Sequence, residues 1–424
     1  MQTSRDAPER GRADRLSRRS VLRAGGLGIL AAGIAACAPA VATPSPVVSA
    51  PSPSDTSPSG PLAPTQAPAD TPAPVATASP DPSLPDLATM IAGLLVVGFR
   101  GRTLDASPWI RDAISAGLGG VILFAKDGKT GKARNVRSPD QVRQLTAELR
   151  AEAGARPLFV AIDQEGGKVL RLSPDYGFPA VASQAAVGRG TEAAARRWAT
   201  GLAATLAAAG VSLNLAPVVD VNVNPDSPAI GALDRSFSAD PEVVIAMAAI
   251  EVEAHRAAGV LTALKHFPGI GSSTANTDLG VADVTDTWTE LELEPFRRLI
   301  AEDRADMIMV GHVVNGQLDP DVPASLSVAV VTDLLRGTLG WEGVVITDDM
   351  TAAAIDDRYG EEEAVLLALE AGNDLLLFAN QQHYDTALVT RTVETVRNAV
   401  ESGRLARDRV ETSWLRVRAL LGGG

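Results

Sequence analysis

The stretch from Leu261 to Asp278, LTALKHFPGIGSSTANTD, decides how this chain is read. With Val260 before it, it opens as a short apolar run bounded by polar and turn residues, which suits a strand buried on both faces. The run stops at Lys265 and His266, and Pro268, Gly269 and Gly271 beyond them forbid a helix. A polar loop follows from Ser272 to Asp278. The pattern predicts a buried strand with a cation and an imidazole at its C-terminal end, beside a loop able to close over them. Barrel enzymes keep their chemistry at that end of their parallel strands. On spacing alone, a snorkelling lysine and a satisfied core histidine are an equally open reading.

The same design recurs along the chain. Strands are predicted at Gly93–Phe99, Gly120–Phe124, Leu158–Asp163, Val211–Asp220, Leu261–His266, Met307–His312, Val344–Asp348 and Asp374–Phe378. Ala-rich helical stretches separate them, at Asp140–Ala153, Thr191–Ala209, Pro241–Ala258, Thr289–Glu302, Ala329–Leu339, Glu361–Ala371 and Tyr384–Ser402. Such alternation implies parallel strands joined by right-handed crossovers, an α/β fold. Eight strands fit a single (β/α)8 TIM barrel over residues 86–424, with an open doubly wound sheet as the alternative. Polar residues end most of the strands, which favours the barrel, because an open sheet gathers its site at one switch point.

Those strand ends carry the chemistry. Strand three ends in Asp163-Gln164-Glu165-Gly166-Gly167-Lys168, two carboxylates beside a glycine pair. Strand four ends at Asp220, followed by a long loop to Asp234-Arg235-Ser236-Phe237. Strand six supplies Gly311-His312, and strand seven Thr347-Asp348-Asp349. Carboxylates, bases and an arginine around one mouth suit a polyhydroxylated ligand. Gly166-Gly167 lacks the spacing of a dinucleotide or phosphate-binding loop.

The first 85 residues read as an address and a tether. Ser17-Arg18-Arg19-Ser20-Val21-Leu22-Arg23 resembles a twin-arginine export signal, and Gly25 to Ala36 is apolar but too short for a confident span. Ile34-Ala35-Ala36-Cys37 resembles a bacterial lipoprotein cleavage box. Residues 1–36 are therefore expected to be a signal peptide, and Cys37 to be lipidated, anchoring the protein to the outer face of the cytoplasmic membrane. Residues 37–85, rich in Pro, Ala, Ser and Thr without apolar periodicity, are expected to form a disordered tether. The net charge of -13 gives a nucleic-acid role no support. One cysteine excludes a disulfide framework within the chain and any Cys-based zinc cluster.

Six motifs resemble the family-three glycoside hydrolases, in the branch of bacterial exo-β-N-acetylglucosaminidases. They are DQEGGKVLRL at 163–172, NLAPVVDV at 214–221, DRSFS at 234–238, KHFPGIG at 265–271, PASLS at 323–327 and GVVITDDM at 343–350. The resemblance implies a (β/α)8 barrel, no metal or other cofactor, and retaining hydrolysis of nonreducing-end β-linked GlcNAc, as in peptidoglycan fragments. By position it implies that Asp348 is the nucleophile. It also implies that Asp163, Arg171, Arg235, Lys265 and His266 grip the sugar. A retaining mechanism needs an ionised carboxylate that attacks the anomeric carbon, which suits Asp348; the plainer reading of Asp348-Asp349 is a helix N-cap pair. The expected partners are a carbohydrate and, through Cys37, a membrane, for a protein acting as a monomer.

One loop departs from the family pattern. Ile270 stands where the family's loop has its first His, and Asn276-Thr277-Asp278 replaces the Asp-Ser-His triplet that carries the acid/base. Asp278 is the candidate substitute, provided its pKa is raised above an ordinary ~3.9 by a neighbouring carboxylate such as Asp348. Two classes of function follow: an active β-N-acetylhexosaminidase, or a carbohydrate-binding lipoprotein of the same fold with weak or no hydrolysis. A β-glucosidase-like or glycosyl-transferring relative would share the fold and the nucleophile.

Overall fold

The computed structural model describes residues 83–422 apart from residue 382. Cys37, the expected signal peptide over 1–36, and 37–82 of the expected tether lie outside them.

Eight parallel strands close into a barrel: β1 (Leu95–Gly98), β2 (Gly120–Leu123), β3 (Phe159–Ile162), β4 (Leu213–Asn214), β5 (Leu261–Phe267), β6 (Met307–Val310), β7 (Val344–Asp349) and β8 (Leu375–Phe378). Each pairs with its sequence neighbours, and β8 returns to β1. The strands are buried on both faces, which is why they read as continuous apolar runs rather than alternating ones. The outer helices begin where the sequence offers caps. Ser138, Thr191 and Asp240 accept the orphan N–H groups of Pro139–Ala153, Glu192–Ala209 and Pro241–Ala257.

The elements depart from the sequence expectation where a side chain interrupts the backbone pattern. β4 pairs regularly for only two residues of the expected Val211–Asp220, because Pro217 has no N–H to give the ladder. The chain runs on beside β5 through Val219 N to Lys265 O and Lys265 N to Pro217 O, and so delivers Asp220 to the mouth. The expected helix Thr289–Glu302 divides near Pro295 into a 3₁₀ turn, Glu290–Leu293, and a helix, Glu294–Ala301. Residues Ala329–Thr338 wind as a π-helix. The helix expected from Tyr384 starts at Leu388, because the preceding loop is tied up elsewhere. Asn380 brackets the backbone of Asp385 with two hydrogen bonds, and the Tyr384 hydroxyl accepts from Arg100 N and Trp109 Nε1.

Candidate active site

The chain after β3 folds back as a tight hairpin, Gln164–Gly166 against Val169–Leu170. Gly166 and Gly167 have positive φ, and a Cβ on Gly166 would meet Ala182 O at 2.2 Å, so only glycine fits there. The buried Gln164 side chain locks the hairpin by accepting Arg171 N and Leu172 N and donating to Leu172 O. Arg171 is thereby returned to the mouth, where Nη2 lies 3.2 Å from Asp163 Oδ2 and the guanidinium stands 5.3 Å from the Phe124 ring centroid.

Neighbouring side chains of a regular strand point to opposite faces. Lys265 and His266 nevertheless both line the mouth, at the place where the β5–β6 ladder shifts register between Leu264 and Phe267. Lys265 Nζ bridges Asp163 Oδ1 at 2.9 Å and Glu165 Oε1 at 2.8 Å. Arg235 grips Glu165 with two hydrogen bonds, of 2.8 Å and 2.7 Å, and donates to Ala229 O. Burial works to raise the Glu165 carboxyl, but Arg235 and Lys265 outweigh it and hold the group far below the usual carboxylate range. Burial likewise works to lower the Lys265 ammonium, and Asp163 with Glu165 raises it instead.

His266 Nδ1 lies 2.7 Å from Asp220 Oδ2, and its Nε2 lies 3.3 Å from Arg235 Nη2. Arginine can only donate, so Nε2 accepts and Nδ1 carries the proton given to Asp220. Asp220 also accepts the N–H groups of His266 and Ile270 and so pins the loop after β5.

Asp348 sits near the end of β7, in one cavity of about 370 Å³ with Asp163, Glu165, Arg171, Arg235, Lys265, His266 and Asp278. Its Oδ1 accepts Asp349 N at 2.8 Å, leaving Oδ2 for a ligand. Burial works to raise the Asp348 carboxyl, but His266 and His312 when protonated, Lys265 and the N–H of Asp349 outweigh it and the group stays below its ordinary range. Lys265 and that N–H are the contributions that persist whichever way the histidines are protonated. His312 is buried, which lowers its pKa. Its Nε2 donates to Asp349 O, an acceptor only, and its Nδ1 accepts from the Ser325 hydroxyl, so it props the end of β7. Asp349 caps no helix. Its carboxylate accepts Thr351 N, Thr351 Oγ1 and Ala379 N in the turn after β7, and burial pushes it up to about 6.

The loop after β5 carries the departures from the family pattern. Ile270 is buried in the core, where the family's loop has a histidine. Asn276 Oδ1 accepts Asp278 N at 3.0 Å, and Thr277 O accepts Ala354 N, docking the loop on the chain beyond β7. Asp278 keeps an exposed side chain at the rim of the cavity. Desolvation by the surrounding atoms and the charge of Asp348 push its carboxyl upward.

All seven residues singled out from the sequence, apart from Cys37, meet in this cavity. Glu165 and Asp220 were legible only as strand-end carboxylates. Nothing in the sequence said that one would clamp Arg235 and Lys265 and the other orient His266.

The glycosyl hydrolase family 3 N terminal domain matches residues 91–420. The chain is 33% identical over 326 residues to "Beta-hexosaminidase A" of Pseudoalteromonas piscicida, covering 72% of this chain and 53% of that one. It is 39% identical over 305 residues to "Beta-hexosaminidase" of Xylella fastidiosa (strain M23), covering 70% and 86%. A solved family 3 β-N-acetylglucosaminidase from Paenibacillus sp. superposes with a TM-score of 0.73 at 35% identity, over 80% of this chain and 63% of that one. The chain thus spans about half of the first relative's length and most of the second's.

Proposed function

The chain belongs to glycosyl hydrolase family 3, and from this we propose that it is an exo-acting retaining β-N-acetylhexosaminidase that removes nonreducing-end GlcNAc from cell-wall-type glycans. The observation that carries the reading is Asp348, held ionised in one cavity with Asp163, Arg171, Arg235, Lys265 and His266. Asp348 Oδ2 attacks the anomeric carbon and forms a glycosyl-enzyme while the leaving oxygen takes a proton from Asp278. Water then attacks the anomeric carbon, Asp278 takes its proton back, and the sugar is released. Two carboxyls pushed in opposite directions are what such a division of labour requires. The clamped cations and Asp163 offer donors and acceptors to the sugar hydroxyls.

Replacement of the family's Asp-Ser-His triplet supports a second reading, a sugar-binding protein of the same fold with weak hydrolysis. Assay of the domain lacking residues 1–85 with nitrophenyl β-GlcNAc and nitrophenyl β-glucoside across pH separates the two. Turnover of the first at a rate well above the second is expected. Tight binding of GlcNAc without turnover at any pH overturns the enzyme reading.

We also propose that the protein is exported, acylated at Cys37 and held on the outer face of the cytoplasmic membrane. Cys37→Ser is expected to release it from the membrane fraction or leave it unprocessed. A native protein recovered wholly in the cytosol without acylation contradicts this.

A further inference from the structure

Gln164 stands between Asp163 and Glu165, and its side chain closes the hairpin that returns Arg171 to the mouth. Three groups around the sugar pocket therefore depend on where Gln164 is held. The regular pairing of β3 with β4 stops at Ile162 and Asn214, so the buried N–H and C=O of Gln164 fall beyond that ladder and need other partners. The Asn214 side chain takes both. Its Oδ1 accepts Gln164 N at 3.0 Å, and its Nδ2 donates to Gln164 O at 3.3 Å.

Asn214 is held in turn by the outer helix Pro241–Ala257. Its Nδ2 also lies 3.1 Å from His255 Nε2, and His255 Nδ1 lies 2.8 Å from Glu251 O, one turn earlier in the helix. The direction of every bond is set at the two ends. Gln164 N–H can only donate, so Oδ1 faces it and Nδ2 is left for His255. Glu251 O can only accept, so Nδ1 carries the imidazole proton and Nε2 accepts from Asn214. Burial agrees, pushing His255 down to about 4 and keeping it neutral well above that pH. Gln164, Asn214 and His255 are all fully buried, so no water substitutes freely for a lost bond. Glu251 contributes its carbonyl alone. Among the described residues neither carboxyl oxygen has a partner, and burial together with the Glu165 charge pushes that carboxyl well above its ordinary range.

We propose that His255 is a positioning residue for the sugar site: through Asn214 it fixes Gln164, and with Gln164 the placement of Asp163, Glu165 and Arg171. A leucine at 255 leaves Asn214 with a buried N–H unsatisfied, and the amide that brackets Gln164 is then free to turn. Asp348 and Asp278 arrive on β7 and on the loop after β5, outside this chain of bonds. Loss of His255 therefore weakens the grip on the sugar more than the chemistry at its anomeric carbon. This rests on the glycosidase reading of the Asp348 cavity, and the test separates the two.

In the intact protein, His255→Leu and His255→Gln are compared with Val396→Ala. The last truncates a buried side chain in the helix Leu388–Glu401, which supplies no residue to the cavity. Glutamine can accept from Asn214 near the place of Nε2, and leucine cannot. On nitrophenyl β-GlcNAc, His255→Leu is expected to raise KM about tenfold and to change kcat less than about threefold, the pattern of binding lost equally from ground and transition states. His255→Gln is expected to keep KM within about threefold of wild type, and Val396→Ala within about twofold. Amide exchange gives a readout that stability alone does not move. In His255→Leu the N–H groups of Gln164, Arg171 and Leu172 are expected to exchange about tenfold faster relative to those of β7, with no such local excess in Val396→Ala. Equal impairment by leucine and glutamine, no rise in KM with leucine, or a uniform rise in exchange overturns the proposal. Wild type that binds GlcNAc without turnover sinks the glycosidase reading instead, and dissociation constants for GlcNAc then make the same comparison. Without binding or turnover, the exchange comparison decides alone. Should His255→Leu fail to fold, the wild type decides: Gln164 N–H is expected to exchange as slowly as the amides of β3, and exchange at the rate of an open loop overturns the proposal.

Discussion

Lys265 Nζ stands 2.8 Å from Glu165 Oε1, with both side chains buried in the wall of the candidate sugar pocket. The ammonium is thus positioned before any ligand arrives, and Arg235 is fixed through the same carboxylate. Removing Glu165 leaves two cations short of their shared counter-charge. Glu165→Ala is expected to destabilise the fold by about 3–5 kcal/mol, the cost of breaking a buried ionic cluster from one side. A melting temperature within a degree or two of wild type would show that the cluster is solvated after all.

Asp348 is expected to carry the covalent intermediate. Asp348→Asn should lower kcat by on the order of 10⁴ to 10⁶, as for loss of a nucleophile in other enzymes. A 2-fluoro GlcNAc-type inhibitor should add its sugar mass to the peptide holding Asp348. Active enzyme that yields no adduct under these conditions argues against retention.

Asp278 and Asp348 set the pH profile. Asp348 must be ionised, so activity is lost as pH falls through its lowered pKa; Asp278 must be protonated, so activity on sugar leaving groups is lost as pH rises through its raised pKa. An acid-shifted bell is expected for kcat/KM on natural linkages. Asp278→Asn should abolish its alkaline limb and hurt natural linkages far more than nitrophenyl β-GlcNAc, whose leaving group needs little protonation. Equal losses on both substrates, or none, remove Asp278 from the acid/base role. Asp278→His with Asn276→Asp should move the optimum toward neutral pH.

Glu292 tests the ground beneath the loop after β5. It is fully buried; Oε2 accepts Ser272 N at 3.2 Å, and Oε1 has no hydrogen-bond partner among the described residues. Burial pushes its carboxyl up to about 7. The folded state therefore binds the proton more tightly than the unfolded chain between about pH 4.5 and 7, and stability falls as pH rises through that window. Glu292→Gln keeps the acceptor and removes the charge. It is expected to raise stability by about 2–3 kcal/mol at pH 8 and to change little at pH 4. Thermal melts at the two pH values check this, and a variant equally altered at both rules out the buried charge as cause.

Much of the barrel was legible without coordinates. Runs such as Val344 to Ile346 and Leu375 to Phe378 have no polar face, and only a strand covered on both sides tolerates that. The polar residue that ends most of these runs then marks the mouth, which is how Asp163, Lys265, His266 and Asp348 were legible. Boundaries were legible where a cap marked them, as at Thr191 and Asp240, and missed where Pro295 divides the expected helix Thr289–Glu302 or where a distant side chain decided. The helix expected from Tyr384 is shortened by Asn380, Arg100 and Trp109, and no local pattern records that.

The alternation of strands and helices, the carboxylates and cations at the strand ends, and the replacement of the Asp-Ser-His triplet are all readable from the order of residues alone. Those properties are local: periodicity, turn chemistry and residue type all act within a few positions. It took the closed barrel to show that Glu165 binds both Lys265 and Arg235 and that Asp220 orients His266. Lys265 lies 102 positions from Asp163, and Arg235 lies 70 from Glu165. Closing the barrel brings such groups within hydrogen-bond reach, and burial there makes each charge depend on partners that the linear order of the chain does not name.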